Sequence, residues 1–289
     1  RPGKGQVKLQ LKACSINFPD ILMVQGKYQF KPELPFSPGM EGAGIVLDVG
    51  EGVTHLKPGD EVVAGLRIGG FAEEAIAEAS ACRPIPKGMD FVKAAAYPAA
   101  YLTAYVALVI RGNLKAGETL LVHGASGGVG MAAVDVGKLL GATVIATGAS
   151  NEKLAAVKAR GADHVLNVTE GFKDKVKDLT EGRGADVIYD PVGGDVFDES
   201  VRCIAWNGRL LIIGFTSGRI PSVGVNMPLI KGFSVVGVRA GEYVRRDPEA
   251  GKKNIETIDK WAAEGKIAPY VCATFPLEQA VDAMRMLQE

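Results

Sequence analysis

The sequence predicts an α/β protein in which a doubly wound parallel sheet follows a mainly β region. Three observations predict it. From residue 119 onward, short apolar runs alternate with stretches of helical spacing. The glycine-rich segment Gly124-Ala125-Ser126-Gly127-Gly128-Val129-Gly130 stands where the first of those runs gives way to a helical stretch. Before residue 98, short apolar runs are cut by turn signals at Pro35, Ser37-Pro38-Gly39, Lys57-Pro58-Gly59-Asp60 and Ile68-Gly69-Gly70.

Taken in order, residues 44–49 and 61–64 read as strands of the first region. The alternating half opens with a strand at 119–123 and a helix at 127–140, then a strand at 143–147 and a helix at 151–160. A strand at 164–167, a helix at 172–179, a strand at 185–190 and a helix at 196–204 continue it, and strands at 209–214 and 234–238 close it. Near-continuous apolar strands separated by helices belong to a parallel sheet covered on both faces. Six strands in this order fit a dinucleotide-binding fold. After Gly241 the alternation stops: 247–265 reads as a polar-faced helix with Trp261 as core anchor, 271–275 as a strand and 277–287 as a helix. This tail is expected to return to the first region, giving one domain of residues 1–97 and 241–289 and a nucleotide domain of residues 98–240.

Composition narrows the function classes. The 289 residues carry 33 Lys and Arg against 33 Asp and Glu, so no general attraction to nucleic acid or an anionic membrane surface is expected. Hydrophobic residues at 47% and charged residues at 23% describe a globular enzyme and not a disordered chain. Glycine is in excess, 37 of 289 or about 13% against roughly 7% in average usage. The four cysteines, Cys14, Cys82, Cys203 and Cys272, form no C-x-x-C pair, which suits a reducing, cytoplasmic setting. No apolar run is long enough for a membrane span and no signal segment opens the chain, which begins at Arg1 as a piece of a longer protein would.

In the glycine segment, Ser126, Gly127, Gly128, Val129 and Gly130 are the candidate cofactor residues. Glycines there permit a sharp turn and close approach to a pyrophosphate, whose charge favours a helix N-terminus. NAD selection uses an acidic residue at the end of the second strand, but that strand ends at Gly148 with no carboxylate. Ser150 and Lys153 offer a hydroxyl and a cation suited to a 2′-phosphate, so NADPH is expected over NADH. The competing reading is that Ser150 or Asn151 only caps the next helix and Lys153 is a solvated charge.

At these residues the sequence resembles the zinc-free, zeta-crystallin-like quinone reductases of the medium-chain dehydrogenase/reductase superfamily. The carriers are Asn17-Phe18-Pro19-Asp20, Pro38-Gly39-Met40-Glu41-Gly42-Ala43-Gly44, Lys57-Pro58-Gly59-Asp60-Glu61-Val62, the glycine segment, Gly161-Ala162-Asp163 and Asp190-Pro191-Val192-Gly193-Gly194. The resemblance covers nearly the whole chain. It implies a partly opened, GroES-like β-barrel as catalytic domain, a Rossmann domain, and an active site between them. It also implies that Asn17, Met40 and Ala99 stand where zinc-dependent relatives carry Cys, His and Cys. None of the three is a plausible zinc ligand, so no metal is expected. His55, His123 and His164 are too far apart in sequence to replace them and read as turn or strand-end residues.

Without a Lewis acid a simple ketone is a hard substrate, whereas a quinone delocalises incoming charge onto oxygen and needs only hydrogen-bond donors there. Asn17 is the first candidate donor and Thr103 the second, with Asp20 orienting Asn17 or capping a helix near Pro19. Pro191, Val192, Gly193, Gly214, Phe215 and Val238, at strand ends, and Asn167, the last residue of the third strand, complete the cofactor set. Two departures from the family pattern stand out: Leu22 and Val168 replace tyrosines. The expected function is NADPH-dependent quinone reduction. An enoyl or 2-alkenal reductase and a non-catalytic NADPH-binding protein are the alternatives. The apolar strand at 234–238 is expected at a sheet edge, and the resemblance implies a homodimer through it.

Overall fold

The computed structural model describes residues 1–288 and divides into two compact units, Arg1–Ala99 with Ala268–Glu289, and Ala100–Ile267. Glu289, the last residue of the range expected for the first domain, lies outside the described residues.

The first unit is built on strands β1 (Gln6–Cys14), β2 (Glu41–Val49), β3 (Glu61–Gly65), β4 (Glu74–Glu78) and β5 (Cys82–Pro84), with helices α1 (Phe18–Val24) and α2 (Phe91–Ala96). The strands form one antiparallel sheet in the order β4-β1-β2-β3-β5. Alternation makes β1 a strand: Val7 and Leu9 are fully buried against Val46, Val62 and Ala64, while Lys8 and Gln10 face away. Gly44 lies where β1 bulges across from it, and a Cβ at Gly44 would sit 2.1 Å from the Gln10 carbonyl oxygen.

The second unit begins within α3 (Pro98–Tyr105), which runs into a wide helical turn at Val106–Arg111. Then follow β6 (Thr119–Val122), α4 (Gly128–Leu139), β7 (Thr143–Gly148), α5 (Asn151–Ala159), β8 (His164–Asn167), α6 (Lys173–Leu179), β9 (Ala185–Asp190), α7 (Gly194–Ser200) and β10 (Ile204–Ile212). Next come α8 (Asn226–Lys231), β11 (Ser234–Gly237), α9 (Ala240–Arg246) and α10 (Pro248–Ala263); α11 (Ala280–Gln288) belongs to the first unit. All six strands are parallel, in the order β11-β10-β9-β6-β7-β8. Counted from β6, this is the 3-2-1-4-5-6 order of a dinucleotide-binding fold. Leu120, Leu121, Ile188, Leu210 and Leu211 are fully buried, as strands covered on both faces require.

Three expectations change. Residues 241–267 cluster with the nucleotide unit, because Ile258, Ala262 and Ile267 are buried there and Trp261 packs on Tyr105 of α3 with ring centroids 5.4 Å apart. Residues 271–275 form no strand: neither edge of the antiparallel sheet pairs with them, and four of the five are exposed. The helix expected at 196–204 ends at Ser200, and β10 begins earlier than expected, at Ile204, with a bulge before Arg209 at Asn207 (φ 60°) and Gly208.

Candidate active site

All the candidate cofactor residues of the nucleotide unit lie at the C-terminal ends of its parallel strands. Gly127 caps α4 with extended backbone, Gly128, Val129 and Gly130 form the first turn, and Ser126 is half-buried just before them. Gly127 N is taken by Gly124 O at 3.0 Å and Met131 N by Gly127 O at 2.8 Å, so the N–H groups of the first turn between them, at Gly128, Val129 and Gly130, are the ones a ligand can take up. The two glycines of the turn do different work. A Cβ at Gly130 would lie 2.3 Å from Gly124 O and 2.8 Å from Ala125 Cα, so this position holds helix against strand. Gly128 has no atom within 4 Å of such a Cβ, so its bare face is space for something other than protein. Bare glycine backbone and N–H groups at a helix start are the chemistry that suits a dinucleotide pyrophosphate.

At the end of β7, Gly148 is buried with its Cα facing Leu154, and Ser150 caps α5, accepting from Lys153 N at 3.3 Å. Ser150 thus does cap α5, through its oxygen as acceptor, and a cap of this kind does not use the hydroxyl proton. Asn167, the last residue of β8, donates to Asn151 Oδ1 at 2.8 Å. After β9, Asp190 Oδ1 accepts from Val192 N and Gly193 N, both at 2.9 Å, and fixes the Pro191–Val192–Gly193 turn. Its Oδ2 is buried without a hydrogen-bond partner, and burial raises this carboxyl above the usual range. The turn packs beside Gly124, where a Cβ would meet Val192 Cγ2 at 3.2 Å, and beside Phe215, whose Cδ1 is 3.0 Å from a Cβ placed on Gly193. Gly214 faces Pro191 O, and Val238 N donates to Ile212 O at 3.0 Å.

Asn17 belongs to the first unit, as N-cap of α1, and Thr103 to α3 of the second. Asp20, at the third helical position, accepts Asn17 N at 2.9 Å through Oδ2 and Gly39 N at 2.9 Å through Oδ1. It is wholly buried, its carboxyl raised by that burial, and it pins backbone. Gly39 (φ 104°) admits no side chain, since a Cβ would come within 2.6 Å of Gly70 Cα.

The residue that organises this corner is Glu41, which stands out in the sequence only as part of a motif. Only 3% exposed, it accepts from the Ser15 hydroxyl and from Asn17 Nδ2 (2.9 Å) on Oε1, and from Ala99 N (2.8 Å) on Oε2. Burial raises its carboxyl, and the three hydrogen bonds oppose that rise. Asn17 Nδ2 also reaches Ser15 Oγ at 3.1 Å. The expected donor role of Asn17 therefore needs revision: its amide protons face protein acceptors.

Comparison with known proteins places this architecture. Residues 128–259 match a family model described as zinc-binding dehydrogenase, and residues 3–87 match the alcohol dehydrogenase GroES-like domain. A quinone oxidoreductase-like protein 2 homolog of Nematostella vectensis is 44% identical over 99% of this chain and 79% of its own length. The chain belongs to the quinone oxidoreductase-like proteins of the medium-chain dehydrogenase/reductase superfamily. Among solved structures, Escherichia coli quinone oxidoreductase complexed with NADPH superposes with a TM-score of 0.90 at 31% identity, covering 99% of this chain and 89% of that one. The CurK enoyl reductase superposes with a TM-score of 0.90 at 26% identity, covering 99% and 88%.

Within this oxidoreductase family the zinc question turns on the donor set. Asn17 touches the Glu41 carboxylate with its amide and Ala99 with its backbone N–H, and Met40 directly precedes Glu41 in the chain. What they bring is an amide, a methyl group and a thioether, which do not fit a zinc ion. The neighbouring Cys14 thiol donates to Glu41 O at 2.9 Å, and burial pushes it far above the usual thiol range. Among the described residues no group of three His, Cys, Asp or Glu could hold a metal ion. Two of the three histidines are bonded to protein groups. Buried His123, at the end of β6, bridges Thr147 Oγ1 (2.7 Å) and Ser200 Oγ (2.8 Å), and His55 reaches Ala79 O at 3.0 Å. Among the described residues no helix is long and apolar enough to cross a membrane.

Two organising carboxylates, Glu41 and Asp190, were visible in sequence only as acidic residues inside otherwise apolar and glycine-rich motifs. Such a position is a signal in itself, because a carboxylate there is buried and must collect donors.

Proposed function

We propose that this protein is an NADPH-dependent, zinc-independent reductase whose substrate is a quinone. The observation that carries the reading is the strand-end cradle: an open Gly128 face at the start of α4, with Ser150 and Lys153 where an acidic residue would select NAD. Bound NADPH would supply the hydride equivalent. The chain's own part is to seat the pyrophosphate on the α4 N–H groups and to meet the 2′-phosphate with the Ser150 hydroxyl and the Lys153 ammonium. The Pro191–Val192–Gly193 turn, stiffened by Asp190, borders the next portion of the cofactor. A conjugated acceptor then needs donors and no Lewis acid, with the Thr103 hydroxyl as the candidate donor. The NADPH complex of the Escherichia coli relative supports this reading.

A second reading, an enoyl or 2-alkenal reductase, is favoured by Leu22, which makes the first helix more apolar, and by the likeness to the CurK enoyl reductase. The proposal includes a homodimer through β11. That strand lies at the sheet edge, Val235 on it is 40% exposed, and the nucleotide unit also exposes Trp206, Leu229 and Ile230.

Steady-state oxidation of NADPH and of NADH, each offered a planar ortho-quinone and a 2-alkenal, separates the readings. Quinone-dependent oxidation with NADPH preferred supports the first. Turnover with the alkenal alone moves the assignment to the second. Tight NADPH binding without turnover on either acceptor contradicts both and leaves a non-catalytic nucleotide-binding protein.

A further inference from the structure

The hydrogen bonds around Glu41 decide which end of the Asn17 amide a ligand meets. A carboxylate only accepts, so each neighbour must turn a donor toward it. Ser15 does so with its hydroxyl, Ala99 with its backbone N–H at 2.8 Å, and Asn17 with Nδ2 at 2.9 Å. Nδ2 carries two protons and has two protein acceptors, Glu41 Oε1 and, at 3.1 Å, Ser15 Oγ. Ala99 is the second residue of α3, so Glu41 also takes up an N–H of that helix's first turn, which has no acceptor within the helix.

We propose that Glu41 is a positioning residue that fixes the polarity of Asn17, so that this half-buried side chain keeps its N–H pair for the protein and has for its ligand the acceptor Oδ1, which also faces the Asp20 N–H in the capping box of α1. Asn17 then accepts an O–H or N–H of the ligand and does not donate to a developing oxyanion. The inference rests on the proposed function in assuming that the ligand meeting Asn17 is the reductase's substrate or cofactor.

The test is a reciprocal pair of substitutions. Asn17→Asp sets one carboxylate against another and is expected to lower kcat by about a hundredfold and to lower the melting temperature. Glu41→Gln must keep its oxygen for Ala99 N–H, so its amide protons face Ser15 and Asn17 and turn the Asn17 amide over. A kcat loss of about tenfold or more, with the KM for NADPH little changed, is expected. In the double variant, the amide introduced at position 41 donates to the carboxylate introduced at position 17. That carboxylate offers an acceptor outward, as the native Asn17 does. The double variant is therefore expected to recover to within about tenfold of native and to melt higher than Asn17→Asp.

A double variant that melts like the native protein yet turns over no faster than Asn17→Asp would overturn the inference. So would Glu41→Gln with native kcat. Native turnover is the control. Its absence contradicts the proposed function and not this inference, which the melting cycle then decides: additive losses overturn it and mutual rescue upholds it.

Discussion

The two candidate regions, one in each unit, are made of opposite materials. In the nucleotide unit the site is backbone: a helix start, bare glycines and a turn held by one aspartate, contributed mostly by contiguous residues. In the first unit the corner is made of side chains, and Ser15, Asn17, Glu41 and Ala99 come from three separated stretches of sequence. A backbone site tolerates change wherever space is left for the ligand and fails where helix and strand touch. A side-chain site fails when any one donor or acceptor is lost.

The largest expected effect breaks the backbone part. In Gly130→Val the new side chain meets Gly124 O and Ala125 Cα, fixed backbone atoms at 2.3 and 2.8 Å from its Cβ. A loss of about 3 kcal/mol in urea unfolding, with loss of NADPH binding, is expected. A variant of native stability would contradict the packing role. Next comes Glu41→Ala, which strips the shared acceptor from Ser15, Asn17 and Ala99. It is expected to cost about 2–3 kcal/mol by the same measurement, and a cost within error of zero would show the network to be incidental.

These two predictions bear on how much could be read from sequence. The nucleotide unit was legible because its signals are local: the strand expected at 143–147 is Thr143–Gly148, and the helix at 151–160 is Asn151–Ala159. The glycine segment, a run of neighbours, announced itself. The Glu41 corner was illegible because nothing local tells a glutamate at a strand start which distant donors will reach it. Strand β1, absent from the sequence expectations, is marked locally as well, since Val7, Leu9 and Leu11 alternate with Lys8, Gln10 and Lys12. The strand expected at 271–275 had the right composition, but a strand exists only with a partner. The place of residues 241–267 depended on Trp261 finding Tyr105, a contact far apart in sequence.

Acid sharpens the comparison through titration. Burial pulls His123 down to about 3. The unfolded chain takes up that proton below about 6.5 while the folded chain refuses it, so this contribution is complete above about 6.5 and is lost as pH falls toward 3. His123→Asn, which keeps a donor and an acceptor for Thr147 and Ser200, is expected to flatten the stability slope below pH 6 by up to about 1.4 kcal/mol per unit. The buried carboxyls Asp20 and Glu41 push the other way. Their raised folded values mean that the stability they give is complete below about 4 and is lost as pH rises through those values. Guanidinium titrations from pH 7 to 4.5 on both proteins measure the difference, and parallel curves would contradict a neutral buried His123.

The smallest effect on folding belongs to Gly128→Ala. No protein atom lies near its Cβ position, so stability is expected to hold or rise by less than about 1 kcal/mol. NADPH affinity is expected to fall about tenfold, since the methyl group enters the pyrophosphate's space. Fluorescence titration with NADPH beside a thermal melt reads both quantities. Unchanged affinity would place the cofactor elsewhere.

The most direct test of the account is the rate of NADPH oxidation by an ortho-quinone after exhaustive dialysis against a zinc chelator. The account predicts that turnover persists undiminished and that added zinc brings no gain, because Asn17, Met40 and Ala99 bring an amide, a thioether and a methyl group, which do not make a zinc site. Turnover abolished by the chelator and restored by zinc would contradict it.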